Sequence, residues 1–294
     1  MENAPVFIIA AARSGTKMLR AALARSSELV DIPYDIDYIW KYRNYDIPHD
    51  ELTPEHITPE VESFIKKQFA KLLARSKARR VLEKSVSNSL RVGFVRAIFP
   101  EGKIVHLFRD GRDVAADARL CWQASMISDQ IQSKSELFRK IVNFPIVAAF
   151  PYLLTYLRSY LQKAVTSRKH IDCWGPVFDG VNEAIQRYSL VEVCGMQWDR
   201  SIMRSLEGLE KLKEDEDYIN VRYEDLVSNP VFELTRLCEF LEIRDVEPIL
   251  DYGRSNITSK YVGFWKTALS REEILQLMPH IENNLKKLGY TTEN

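Results

Sequence analysis

The sequence predicts an α/β fold, a mostly parallel sheet flanked by helices. Short apolar runs at Val6–Ala10, Val81–Glu83, Lys103–Phe108 and Asp217–Arg222 read as strands. Stretches with helical apolar spacing alternate with them, the pattern that builds parallel sheets. Two of the runs lead directly into basic turns, Arg13–Lys17 and Arg109–Arg112. Turns after strands lie at the carboxyl edge of such a sheet, where ligands bind, so these two are expected to grip two ends of one ligand.

The elements follow in order. Val6–Ala10 is the first strand, and a helix runs from Thr16 to about Ser26. Residues 32–54 are rich in aromatics, Asp and Pro, which marks an irregular segment carrying function. Thr58-Pro59 is a helix start, a Thr cap with Pro in the first helical position. Val61, Phe64, Ile65, Phe69, Leu72 and Leu73 then share one face, and the basic run Arg75–Arg80 closes the helix. After the strand at Val81–Glu83 a helix is expected over Asn88–Phe99, stopped by Pro100-Glu101-Gly102. Asn229-Pro230 opens another, reaching about Leu241. Ser270 and Glu273 form a capping box for a last helix, which Pro279 should kink or split before Gly289.

With 294 residues, 46% of them hydrophobic, the chain is long enough for one α/β domain with a large core. Its 41 basic and 41 acidic residues cancel, so no net field points to nucleic acid. The four cysteines show no Cys-x-x-Cys pair and the histidines no metal-ligand spacing, so neither a disulfide framework nor a metal site is expected. Glu2 and the short apolar run argue against a secretory leader, and a cytoplasmic protein is expected. The most membrane-like segment, residues 141–161, is interrupted by Asn143, Pro145, Pro151 and Arg158. It suits a core or lid element, with peripheral contact to a membrane or apolar acceptor as the alternative.

The chemistry concentrates in Arg13-Ser14-Gly15-Thr16-Lys17. A turn between a buried strand and a helix N-terminus offers free N–H groups and the positive end of the helix dipole. Arg13 and Lys17 add charge, and Ser14 and Thr16 add hydroxyls, so the expected ligand is a phosphate or a sulfate ester. The nucleotide P-loop, Gly-x4-Gly-Lys-[Ser/Thr], is not satisfied: Lys17 does not directly follow a Gly, and Met18 replaces the magnesium-holding hydroxyl.

Arg-Ser-Gly-Thr after a strand resembles the 5′-phosphosulfate loop of the sulfotransferases that use 3′-phosphoadenosine 5′-phosphosulfate (PAPS). Other segments agree, in the same order: Glu83-Lys84-Ser85, Phe108-Arg109 to Asp117, Val221 to Pro230 with its Tyr-Glu-Asp-Leu stretch, and Gly263-Phe264-Trp265-Lys266 before a capped helix. The resemblance runs from about Val6 to Tyr290 and is weakest from Trp122 to Tyr188. It implies a P-loop-like sulfotransferase fold over residues 1–294, with residues 122–188 as an acceptor-side insertion or lid. It implies that Arg13, Ser14, Gly15, Thr16 and Lys17 hold the 5′-phosphosulfate, Arg109 the 3′-phosphate and Tyr223 the adenosine part. Lys260 falls where a late phosphate-binding loop would be. Lys84 is implied at the bridging oxygen or the sulfuryl group, with Arg13 beside it.

The catalytic base implied by relatives acting on sugars and tyrosine is acidic and follows the first helix. Asp35 takes that place here, with Asp37 second, because the His used by cytosolic relatives after Lys-Thr is absent at Ser85-Val86. The main departure is Asp117, where the family usually has Ser. An ionised carboxylate cannot donate to a phosphate. Either Asp117 points away, or a neighbour such as Arg112 or Arg119 compensates, or the nucleotide is held differently. Sulfuryl transfer runs on protein cations without a bridging metal, so no metal is expected.

Plainer readings stand beside these. Arg109 and Arg112 are then ion-pair partners of Asp110 and Asp113, Lys84 a solvated strand end, Tyr223 and Trp265 core. His106 is a core histidine, and Glu224 and Asp225 cap a turn. The function expected is sulfuryl transfer from PAPS to a hydroxyl or amine of a small, lipid or glycan acceptor. A magnesium- and ATP-dependent nucleotide kinase and a non-catalytic nucleotide-binding protein are the alternatives.

Overall fold

The computed structural model describes residues 4–127 and 174–292. β1 (Val6–Ile9) turns into α1 (Thr16–Leu23), followed by β2 (Leu29–Asp31), α2 (Asp37–Trp40) and α3 (Pro59–Ala74). β3 (Arg80–Glu83), a 3-10 turn (Val86–Leu90) and α4 (Val92–Ile98) lead to β4 (Lys103–Phe108) and α5 (Gly111–Ile127). Beyond residue 173 come α6 (Val181–Arg187), α7 (Leu190–Leu209), β5 (Tyr218–Arg222) and α8 (Tyr223–Ser228). α9 (Pro230–Phe240), α10 (Glu247–Asn256), α11 (Trp265–Ala268) and α12 (Arg271–Lys287) complete the described chain.

The five strands form one parallel sheet in the order β2-β3-β1-β4-β5. Val6 of β1 lies opposite Leu82 on one side and Lys103 on the other, which places β1 centrally. Every residue of β1 is buried, as a strand covered on both faces requires. Val6 and Ile8 face one core with Leu19, Ala22 and Leu23 of α1 and Leu234 and Leu237 of α9. Phe7 and Ile9 face a second core with Trp40, Phe69, Phe94 and Ile98. A third core joins α5, α7 and α12 through Trp122, Trp198, Ile202, Leu277 and Ile281. The sheet order puts the turns after β1, β3 and β4 side by side at its carboxyl edge. An apolar hollow of about 560 Å³ opens beside Pro5, Phe99 and Gly102 at the opposite, amino edge.

Several elements depart from expectation. The helix expected over Asn88–Phe99 is two pieces, because Arg91 (φ −143°, ψ 35°) leaves helical geometry as its side chain turns inward to Asn88 and Asp37. α1 ends at Leu23 rather than near Ser26. Pro279 does not split α12, whose capping box at Ser270 and Glu273 and buried Leu277, Ile281 and Leu285 hold it on both sides of the proline. Thr58 caps α3 as expected, accepting from the Val61 amide at 3.3 Å. The irregular segment after α2 is fastened: Asp50 exchanges hydrogen bonds with the backbone of Val177, and Glu51 takes Arg200 and Arg204. Of the insertion expected over residues 122–188, the described parts are the end of α5 and the stretch from Trp174 through α6; the apolar segment 141–161 lies outside the described residues.

α7 and α12 meet at Gly195, where an added Cβ would overlap the Leu277 side chain, itself fully buried. Gly195→Ala is expected to force the two helices apart and to cost about 1–3 kcal/mol, read as a lower urea midpoint at unchanged slope.

Candidate active site

The turn after β1 is shaped by two residues in the left-handed region, Arg13 (φ 68°) and Gly15 (φ 88°). Gly15 is needed for space as well as for φ, since a Cβ there would lie 2.7 Å from the Tyr223 ring. Ser14 is fully buried and its hydroxyl has no hydrogen-bond partner among the described residues, and Thr16 is buried at the first position of α1. A buried, unpaired hydroxyl at a helix N-terminus is costly unless a ligand satisfies it, so the chemistry of this turn suits an anion. Lys17 is exposed and has no ion-pair partner among the described residues.

The turn after β3 brings Lys84 and Asp35 together. Lys84 is buried, and its Nζ donates to Asp35 Oδ1 at 2.6 Å, while the Asp35 side chain keeps 35% of its exposure. Asp37 is drawn elsewhere, into an ion pair with buried Arg91, which also lies 3.8 Å from Asp50. The Asp35 loop is anchored by Ser85, whose Oγ accepts from the Ile36 amide at 2.9 Å and donates to Glu83. Glu83 also accepts from Asn88 at 2.8 Å and from the Trp40 indole at 3.4 Å. Glu83 is fully buried, and burial pushes its carboxyl up to about 7.

The turn after β4 supplies Arg109, which is 3% exposed. It donates to the Arg13 carbonyl at 2.9 Å and to the Tyr261 carbonyl at 2.7 Å, and its plane lies 4.5 Å from the Tyr223 ring centre. Asp117 points into this group: it accepts from Arg13 at 2.8 Å and lies 3.6 Å from Arg109. The compensating cations are therefore Arg13 and Arg109. Arg112 and Arg119 are engaged elsewhere, Arg112 with Asp110 and over the Trp265 ring, Arg119 with Glu273 and the Ala268 carbonyl. Asp113 accepts from the amides of Gly263 and Trp265, both at 2.9 Å, and burial raises its carboxyl. These contacts pin the loop before α11 onto the start of α5. Lys260, in that loop, is exposed, its Nζ 5.6 Å from the Tyr261 ring.

The plainer readings fare unevenly. The Arg112–Asp110 and Arg109–Asp113 pairs exist, but all four residues are buried rather than on the surface. His106 is buried and shares 2.8 Å with the Asn220 amide oxygen, and burial lowers its basicity. Glu224 accepts from the Asp110 amide and from the Tyr290 hydroxyl, joining two turns rather than capping its own. Sequence reasoning missed Arg91 and the structural tasks of Glu83 and Asp113. Asp113 sits four residues after Arg109, a spacing that signals a pair, but its amide partners lie 150 and 152 positions away.

Fold and site define a P-loop-like α/β protein with a cationic turn at the carboxyl edge of its sheet whose chemistry suits an anion. Residues 5–141, just under half of the chain, match the profile of the sulfotransferase family. No curated protein matches the sequence. The fold is similar to that of the sulfotransferase domain from the curacin biosynthetic pathway, with TM-score 0.58, 16% identity and 99% of each chain covered. It is also similar to the sulfotransferase domain of the Synechococcus PCC 7002 olefin synthase (TM-score 0.53, 16% identity, 100% of this chain and 98% of that one). A sulfotransferase from Mycobacterium avium aligns with TM-score 0.55, 11% identity, 100% of this chain and 79% of that one. The matched stretch is similar to the sulfotransferase family, and the fold resembles that of the sulfotransferase domains. The matched stretch contains the turns after β1, β3 and β4, whereas Tyr223 and Lys260 lie outside it.

Glu83 gives a pH signature. Its carboxyl binds a proton more readily in the folded chain than in an unfolded one, where it titrates near 4.5, so stability is lost as pH rises from there to about 7. Urea unfolding is expected to show the wild type losing stability relative to Glu83→Gln between pH 5 and 8; parallel curves would remove Glu83 as the titrating group.

Proposed function

We propose that this chain is a PAPS-dependent sulfotransferase, moving a sulfuryl group to an acceptor hydroxyl, or an amine, by in-line transfer. The observation that carries the reading is the meeting of three turns at one sheet edge: a cationic turn whose buried Ser14 hydroxyl has no partner among the described residues, a Lys84–Asp35 pair at 2.6 Å, and buried Arg109. Together they supply what sulfuryl transfer needs: cations at the leaving phosphate, a base for the acceptor and fixed alignment.

Ser14, Gly15, Thr16 and Lys17 would hold the 5′-phosphosulfate through hydroxyls, first-turn amides and the Lys17 charge. Arg109, Tyr223 and Lys260 would hold the remainder of the nucleotide. Asp35 would take the acceptor proton as the acceptor oxygen bonds to sulfur. The bond between sulfur and the bridging phosphate oxygen breaks, and its electrons leave with adenosine 3′,5′-bisphosphate. Lys84 would offset the charge gathering on that oxygen; Arg13, given beside it by the resemblance, turns its guanidinium to Asp117 instead. A buried ammonium with one carboxylate partner retains N–H donors for this task. Asp37, committed to Arg91, is left a positioning part.

The acceptor is proposed to carry an apolar portion, from the composition of residues 122–188. The whole chain is proposed as one domain. Among the described residues no helix is long and apolar enough to cross a membrane.

The first experiment is calorimetry with adenosine 3′,5′-bisphosphate in the absence of magnesium, beside ATP with magnesium. Tight bisphosphate binding supports the donor class, while magnesium-dependent ATP binding alone would put the kinase reading in its place. In turnover with PAPS and a screened acceptor, Asp35→Asn is expected to lower kcat by about 100-fold or more, the scale of a general base, with bisphosphate affinity nearly unchanged. Lys84→Ala should abolish turnover as well. Turnover that survives both changes would remove this pair from the chemistry.

A further inference from the structure

We propose that Asp117 is a donor-specificity residue, a built-in counter-anion that the second phosphate of the nucleotide must displace from Arg13 and Arg109. This deepens the sulfotransferase reading above and rests on it.

Asp117 Oδ1 accepts from Arg13 at 2.8 Å, and Oδ2 lies 3.6 Å from Arg109. Asp113 lies 3.7 Å from Arg109 on its other side. Two guanidiniums therefore face two carboxylates, and the cluster carries no net charge. Of the two cations of the turn, Arg13 is paired with Asp117, and Lys17 is exposed with no ion-pair partner among the described residues. A group held by Ser14 to Lys17 thus meets uncompensated charge, whereas a second phosphate reaching for Arg109 meets a neutralised cluster.

The two carboxylates differ in freedom. Asp113 is 1% exposed, and its two oxygens take the backbone amides of Gly263 and Trp265. Moving it would undo the loop before α11. Asp117 is held by side chains, and its own side chain is 22% exposed on α5. It can swing toward solvent at small structural cost. Among the described residues the buried Nε atoms of Arg13 and Arg109 have no hydrogen-bond partner, so both guanidiniums retain donors for an incoming anion. An ionised carboxylate has none to offer a phosphate and repels it. The exchange therefore falls on Asp117, and the bisphosphate is held more loosely than the two arginines alone would hold it.

The test is calorimetry at fixed ionic strength on the full chain as wild type, Asp117→Asn and Asp117→Ser. Thermal unfolding checks that each variant is folded. The ligands are adenosine 3′,5′-bisphosphate and adenosine 5′-monophosphate. Removing one like charge beside a partly exposed site is expected to tighten the bisphosphate about tenfold and to change the monophosphate by less than about twofold. Unchanged or weaker bisphosphate binding in both folded variants would show that Asp117 orients the arginines instead, and would overturn the proposal. Equal tightening of both ligands would overturn it too, because the effect would not belong to the second phosphate. Absence of bisphosphate binding in wild type and variants alike would overturn the sulfotransferase reading itself, a result distinct from either.

Discussion

A single buried guanidinium ties the turn after β4 to the turn after β1, to the loop before α11 and to the end of β5. Arg109 donates to the carbonyl of Arg13 in the turn after β1 and to that of Tyr261 in the loop before α11. Its face covers Tyr223 at the end of β5. A planar, permanently charged fork can serve two carbonyls and stack at once, and a lysine could not reproduce that arrangement. Its charge in turn dictates its surroundings, because an unpaired buried cation is expensive. Asp113 and Asp117 meet that demand from successive turns of one helix, and Asp113 uses its oxygens a second time to fasten the loop holding Trp265.

The carboxyl edge of the sheet is thus built as a shared electrostatic structure. Arg112 braces Trp265 while paired with Asp110, and Glu224 bridges Asp110 and Tyr290. On the far side of β1, the same logic runs through Arg91, Asp37 and Asp50. Glu83 breaks the pattern. It is buried among neutral donors from Ser85, Asn88 and Trp40, and its carboxyl is correspondingly reluctant to ionise. Through Ser85 it lies two hydrogen bonds from the backbone that carries Asp35.

Much of this was legible in the sequence, for definable reasons. β1 and β4 are continuous apolar runs because both faces of a central parallel strand are covered, and each ends in an unmistakable basic turn. β2 is three residues at a sheet edge, too short to leave a pattern. α7 went unread although Ser189 and Glu192 form a capping box, because Gln197, Ser201 and Ser205 interrupt its apolar face and are buried. The anion turn announced itself through residue types concentrated within five positions. The clamp made by Asp113 and the inward turn of Asp117 did not, since their partners are set by the fold at separations of about a hundred residues or more. Local spacing revealed which groups are charged, and tertiary structure decided which of them are spent on one another.

The packing of Tyr223 against Gly15 has a consequence for how the molecule is made. The turn between β1 and α1 emerges among the first residues of the chain, yet the ring that seals it and the carbonyl that takes Arg109 arrive more than two hundred residues later. Local helices and the β1–β3–β4 pairings can form early, but such distant contacts close slowly and last. A nascent chain therefore carries a cationic turn that it cannot complete until nearly all of it has been synthesised. Completion of this edge of the sheet is in that sense a late event of folding, reached when the C-terminal segment docks rather than when the turn itself takes shape.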